Sequence, residues 1–121
     1  MGNSTTHNDL LAADTLKKLQ AYVKKTGEER GFSDETIQDS FMLLVEEIGE
    51  VAKALRPLHN VKMASDSVQS ELSHELADVQ LLLLSLCNKL GINLADAVIE
   101  KETKNRKRVW HNVETIAEGL R

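Results

Sequence analysis

A chain of 121 residues with 41% hydrophobic and 28% charged residues has the length of one domain and the makeup of an ordinary globular protein. Its net charge of −4 argues against a general binder of polymeric nucleic acid, while leaving room for a small anionic ligand held through a metal. One cysteine, Cys87, cannot form an internal disulfide, no secretory signal is visible, and the longest unbroken apolar run, Leu81 to Leu84, is far too short for a membrane span; the expectation is a cytoplasmic protein without a membrane partner.

Met1 to Asn8 is polar and reads as a disordered start, leaving residues 9–121 for a single all-α domain. The first expected helix covers Asp9 to Lys25, where Leu10, Ala13, Leu16, Leu19 and Val23 roughly follow a helical period, and Gly27 ends it. Glu28 to Phe32 is a polar connection. Ser33 and Asp34 are N-cap candidates for a second helix, on which Ile37, Phe41, Leu44, Val45, Ile48 and Leu55 share one wide apolar face. Pro57 stops it, and the short loop from Leu58 to Asp66 favours an antiparallel return.

The third helix runs to Leu90 with Leu72, Leu76, Val79, Leu83 and Leu86 on its main face. Beyond Val79, Leu81, Leu82, Leu84 and Cys87 cover its other directions. A helix apolar nearly all round is buried on several sides, and one short chain offers few elements to bury it, so association into a homodimer or homotetramer with this helix central is expected. Gly91 provides the break, and Asn93 with Asp96 resembles a capping box for the fourth helix. Val109 to Arg121 reads as a tail or short last helix in which Trp110 docks on the core.

Two acidic runs stand out: Glu46-Glu47-Ile48-Gly49-Glu50 and, after a gap of 24 residues, Glu75-Leu76-Ala77-Asp78. At roughly 100° per residue, Glu47 and Glu50 lie about 60° apart on a helix, as do Glu75 and Asp78, so each run puts a carboxylate pair on one stripe. Leu43, Glu47, Glu50 and Ala54 share the first stripe; Glu71, Glu75, Asp78 and Leu82 share the second. Antiparallel packing brings Leu43 near Leu82 and four carboxylates together, which repel unless a cation neutralises them. Oxygen-only ligands argue for magnesium or manganese over zinc. Either run taken alone is also what a solvated helix face looks like.

On the fourth helix a packing stripe of Leu94, Ala97 and Val98 continues as Lys101, Asn105 and Arg108. Lys101 and Arg108 suit phosphate oxygens, and Asn105 suits a phosphate or a sugar hydroxyl; the same residues also fit a basic helix end that complements the macrodipole. Glu71-Leu72-Ser73-His74 has the Glu-x-x-His form of di-iron bundles, but helix two offers Glu47-Ile48-Gly49-Glu50 with no histidine, which leaves His74 as a side chain beside the acidic stripe.

Taken in order, Glu46-Glu47-x-x-Glu50, Glu75-x-x-Asp78 and Lys101-x-x-x-Asn105-x-x-Arg108 resemble the motifs of the MazG-like family of all-α nucleoside triphosphate pyrophosphohydrolases, which includes the dCTP pyrophosphatases and dimeric dUTPases. The likeness spans about residues 14 to 110. It implies magnesium-dependent hydrolysis of a (deoxy)nucleoside triphosphate to the monophosphate and pyrophosphate, a house-cleaning role in the nucleotide pool, and four-helix bundles assembled as a dimer or dimer of dimers. It also implies that Glu47, Glu50, Glu75 and Asp78 are metal ligands, that Lys101, Asn105 and Arg108 contact phosphate and sugar, and that Glu46 helps orient water. With Phe32, Phe41, Tyr22 and Trp110 as its few aromatics, the chain shows no assignable aromatic cage, so the base stays open. Two other classes remain: a non-enzymatic helical-bundle interaction module, which would bind no magnesium above background, and a nucleic-acid contact through Lys101 to Arg108, whose affinity would fall steeply with salt.

Overall fold

The structure, a computed structural model, describes residues 4–58 and 66–108, and every regular element among them is helical. In chain order these are α1 (His7–Ala12), α2 (Leu16–Glu29), a 3-10 turn (Phe32–Asp34), α3 (Ile37–Leu55), α4 (Asp66–Leu90) and α5 (Leu94–Lys107). The all-α expectation holds for them. α4 is the centre, packed along α3 and against α2, while α1, the 3-10 turn and α5 all pack on α2.

The single helix expected over Asp9 to Lys25 is two helices. Thr6 caps α1 in a capping box with Asp9, so His7 and Asn8, assigned to the polar start, are helical. Thr15 then caps α2, its hydroxyl accepting from the Lys18 N–H at 3.2 Å. Nor does Gly27 end this helix: α2 runs through it to Glu29, and the stop is Gly31, whose φ of 80° suits a residue without a Cβ. The second helix is capped by Thr36, not by Ser33 or Asp34, which lie in the 3-10 turn; the Thr36 hydroxyl accepts from the Asp39 N–H at 3.0 Å and Asp39 accepts in return from the Thr36 N–H at 3.2 Å.

α4 ends as its sequence implies. The Ile92 N–H reaches the Cys87 carbonyl at 2.9 Å and the Gly91 N–H the Asn88 carbonyl at 3.3 Å, with Gly91 at φ 68°, which is a Schellman termination. Asn93 caps α5, its side-chain oxygen accepting from the Asp96 N–H at 3.0 Å. α5 is held by a buried amide on α2. Gln20 donates to Asn88 Oδ1 at 3.0 Å and to the Ile92 carbonyl at 2.7 Å, and accepts from the Leu94 N–H at 2.9 Å. Asn88 Nδ2 donates back to the Gln20 carbonyl at 3.2 Å.

The apolar core among the described residues comprises Leu44, Leu72, Leu84 and Cys87, and Leu84 is fully enclosed. Of the extra apolar directions of α4, Leu84 and Cys87 are covered within one chain and burial pushes the Cys87 thiol pKa up, whereas Leu81 on the same helix stays exposed, as does Leu76. α3 carries an open apolar face as well, where Phe41, Val45 and Ile48 at i, i+4 and i+7 are 53%, 45% and 50% exposed. No single helix among the described residues is long and apolar enough to cross a membrane; only α4 and α5 taken together reach that length and composition, across a 95° bend. His59, Trp110 and His111 lie outside the described residues, as does the rest of the tail.

Candidate metal and nucleotide site

The carboxylates meet on the seam between α3 and α4. Leu43 and Leu82 line one cavity, and one turn further along each helix Glu47, Glu75 and Asp78 each bring a carboxylate oxygen within 4.8 Å of the others, which makes the two helices antiparallel. Glu47 and Glu75 are half-buried and Asp78 is exposed. Glu50, one turn beyond Glu47, stays at the exposed edge of this group and acts on it through its charge. Glu46 and Glu71 are exposed on the same two helices, and so is His74, which is not among the clustered ligands.

The electrostatics of the cluster are those of an uncompensated anionic site. The Glu47 carboxyl is held above the usual carboxylate range, first by its side-chain hydrogen bond with Glu75, then by burial, then by the negative charges of Glu75, Asp78 and Glu50. Glu47 Oε2 is enclosed without a hydrogen-bond partner. An orphaned buried carboxylate oxygen is costly, and three carboxylates that each bring an oxygen within reach of the others are what a hard divalent cation completes. The residues present therefore fit magnesium or manganese and lack the nitrogen or sulfur ligands that zinc favours.

The cationic stripe lies elsewhere in the chain. Lys101 and Arg108 are exposed on and just after α5, and the half-buried Asn105 donates from Nδ2 to Glu102 Oε2 at 3.3 Å. α5 packs on α2, and no cation of α5 is among the charges that act on Glu47. Within the described residues, then, Glu47, Glu75 and Asp78 come together, while Lys101, Asn105 and Arg108 are not among the groups that act on Glu47.

Beside the carboxylates opens an apolar cavity of about 290 Å³ between α2, the 3-10 turn, α3 and α4, with Leu10 of α1 in its wall. Tyr22, Arg30 and Phe32 line it, and none of them carries a local sequence signal for that role. Lys89, at the end of α4, donates to the Phe32 carbonyl at 2.9 Å and to the Glu35 carbonyl at 2.8 Å. In sequence it reads only as a cation complementing a helix end.

Comparison with known proteins gives the family. The profile of the MazG nucleotide pyrophosphohydrolase domain matches residues 33–112, about two-thirds of the chain, and takes in both acidic runs and the cationic stripe. The chain belongs to the MazG nucleotide pyrophosphohydrolase family. It is also similar to a protein of Salmonella phage PMBT28 named dATP/dGTP diphosphohydrolase, with 29% identity over 102 residues. That stretch covers 84% of this chain and 29% of the phage protein, so the chain spans less than a third of that relative's length.

Proposed function

We propose that this chain hydrolyses a (deoxy)nucleoside triphosphate to the monophosphate and pyrophosphate, with magnesium as cofactor and manganese able to replace it, in nucleotide-pool house-cleaning. The observation that carries the reading is the convergence of carboxylate oxygens of Glu47, Glu75 and Asp78 within 4.8 Å of one another, with Glu47 Oε2 buried and without a hydrogen-bond partner. Glu47, Glu50, Glu75 and Asp78 would hold the cation, and Glu46 on the exposed side of the same run would orient water. A divalent cation bound there supplies charge neutralisation for the triphosphate oxygens and makes water a better nucleophile near neutral pH.

No side chain need become covalently attached. A water oxygen bonds to phosphorus, the bond from that phosphorus to the bridging oxygen breaks, pyrophosphate leaves with the electron pair, and the water's proton passes to solvent or to a carboxylate of the cluster. Lys101 and Arg108 have the donors to hold phosphate oxygens and Asn105 those for a phosphate or sugar hydroxyl. Because no cation of that stripe is among the charges that act on Glu47 within one chain, and the α3 face of Phe41, Val45 and Ile48 is open, the reading includes a dimer or dimer of dimers in which a second copy completes the site.

The name of the phage relative points first to purine deoxynucleoside triphosphates as substrates. The test is release of pyrophosphate from canonical and modified nucleoside triphosphates, with and without magnesium. Magnesium-dependent release, abolished by a chelator, is expected from at least one of them; a purified protein that binds magnesium no better than background and releases nothing is an interaction module instead.

A further inference from the structure

The cavity beside the carboxylates has a wall of unusual construction. Leu43 stands one turn before Glu47 and Leu82 one turn after Asp78, so a group entering between them lies about 5.4 Å along the seam from the carboxylates. Its lining is mostly apolar and includes the aromatic residues Tyr22 and Phe32, with Arg30 and Glu35 adding charged groups. A flat heterocycle on the sugar of a bound triphosphate is an occupant of that size and chemistry.

Phe32 does more than line this space. A second cavity of about 140 Å³ adjoins it, and Val23, Gly27, Phe32 and Ser85 border both, so Phe32 is the residue of the turn that stands where the two cavities meet. The turn starts at Gly31, whose left-handed φ of 80° sets the chain direction, and both of its ends are tied to α4 by one ammonium: Lys89 Nζ takes the Phe32 and Glu35 carbonyls across 57 and 54 residues of sequence. Without that tie the turn has no other long-range side-chain hydrogen bond among the described residues.

We propose that Lys89 is a positioning residue for substrate selection: by holding both ends of the Phe32–Glu35 turn it fixes the wall of the cavity that receives the nucleobase. The inference rests on the pyrophosphohydrolase reading for the presence of a nucleotide. Lys89 touches no substrate atom. Its role is to keep Phe32 between the two cavities, so that the first keeps the width of one particular ring system; with the turn loose, the cavities merge and bases of different size are taken alike.

The test compares kcat and KM for dATP, dGTP, dCTP and dTTP in the wild type, Lys89→Met, Lys89→Arg and Gly27→Leu. Gly27 borders both cavities, and a Cβ there meets nothing within 4 Å, so a side chain grows into open space from a helical position that tolerates it. Lys89→Met should reduce the preference among bases by about tenfold, through KM with kcat and magnesium affinity kept, and Lys89→Arg should restore most of it. Gly27→Leu should raise KM for the larger bases most. Binding of non-hydrolysable triphosphate analogues is measured alongside by calorimetry. If the analogues bind with a base preference that Lys89→Met lowers, but nothing is hydrolysed, the hydrolase reading fails and the cavity inference stands. If hydrolysis proceeds and the preference is the same in all four proteins, the cavity inference fails alone; if no analogue binds, both fail.

Discussion

Glu47 and Glu75 hold carboxylate oxygens within 4.8 Å of each other across the α3–α4 seam, while Glu47 Oε2 is shut away from solvent with no partner. Without a cation this pair weakens the fold it belongs to. Glu47→Gln should therefore hold or raise the melting temperature of the metal-free protein while lowering its magnesium affinity. Turnover should fall by at least about 100-fold, since even residues that only orient metal ligands cost 10- to 100-fold. Glu50→Gln and Asp78→Asn should behave the same way. Melting with and without magnesium, set beside pyrophosphate release, checks this; full activity in these variants rules out the metal assignment.

How this site was legible in the sequence follows from its being local twice over. Glu47 with Glu50 and Glu75 with Asp78 are each set by helical spacing, and the short return between helices does the rest; the ends of α4 and α5 were equally readable from Gly91 and Asn93. Gly27 and Gly31 look alike in sequence, but only Gly31 takes a left-handed φ, and that depends on where Phe32 must turn. The periodicity of α4 marks Leu81, Leu84 and Cys87 alike as apolar without saying that the chain itself covers Leu84 and Cys87 and leaves Leu81 exposed. Lys89 bonds across more than fifty residues, which no local pattern encodes.

The Gln20 amide is the joint of α2, α4 and α5. It is 6% exposed, and replacing it by leucine would leave Asn88 Oδ1, the Ile92 carbonyl and the Leu94 N–H without that partner. Each orphaned buried group costs about 1–3 kcal/mol, so Gln20→Leu should lower stability by about 2–4 kcal/mol after partial relaxation. Urea unfolding measures the loss. Amide exchange should place the early opening at Ile92 to Ala97, and an unchanged midpoint would show that water replaces the amide without cost.

α1 is tied down by Thr5, whose N–H and hydroxyl donate to the two Glu29 oxygens at 2.7 and 2.6 Å. These bonds hold the Glu29 carboxyl below the usual glutamate range. A carboxyl whose pKa is lower when folded contributes stability that is complete above its unfolded value and is lost as pH falls through its folded value. On acidification through that window, amide protection in His7–Ala12 should fall before that of α4. Glu29→Gln should show the weaker protection already at neutral pH, and equal protection at both pH values would show that α1 is held by packing alone.

If Lys101 and Arg108 hold phosphates, Lys101→Ala and Arg108→Ala should raise KM or slow turnover while leaving magnesium affinity unchanged, because no α5 cation is among the charges that act on Glu47 within a chain. Loss of one charged hydrogen bond is worth about 1.5–3 kcal/mol, or roughly 10- to 150-fold in kcat/KM. An efficiency equal to wild type would return them to ordinary surface cations.

Assembly is where the structure sharpens the expectation most. Leu84 is fully enclosed by its own chain, so Leu84→Ala should cost about 2–5 kcal/mol and Leu84→Lys should unfold the protein at any concentration. Phe41, Val45 and Ile48 are about half exposed, and each fully buried side chain of this kind stabilises by about 1.5–3 kcal/mol, which is the gain a second copy would realise by covering them. Val45→Lys or Phe41→Glu should then convert a dimer or tetramer to a monomer that keeps its helical circular dichroism. If the second copy brings the Lys101 to Arg108 stripe to the carboxylates, pyrophosphate release should fall with dissociation and return at high protein concentration. Sedimentation velocity on the wild type and Val45→Lys decides it; a stable, fully active wild-type monomer at micromolar concentration would mean that one chain carries the whole site.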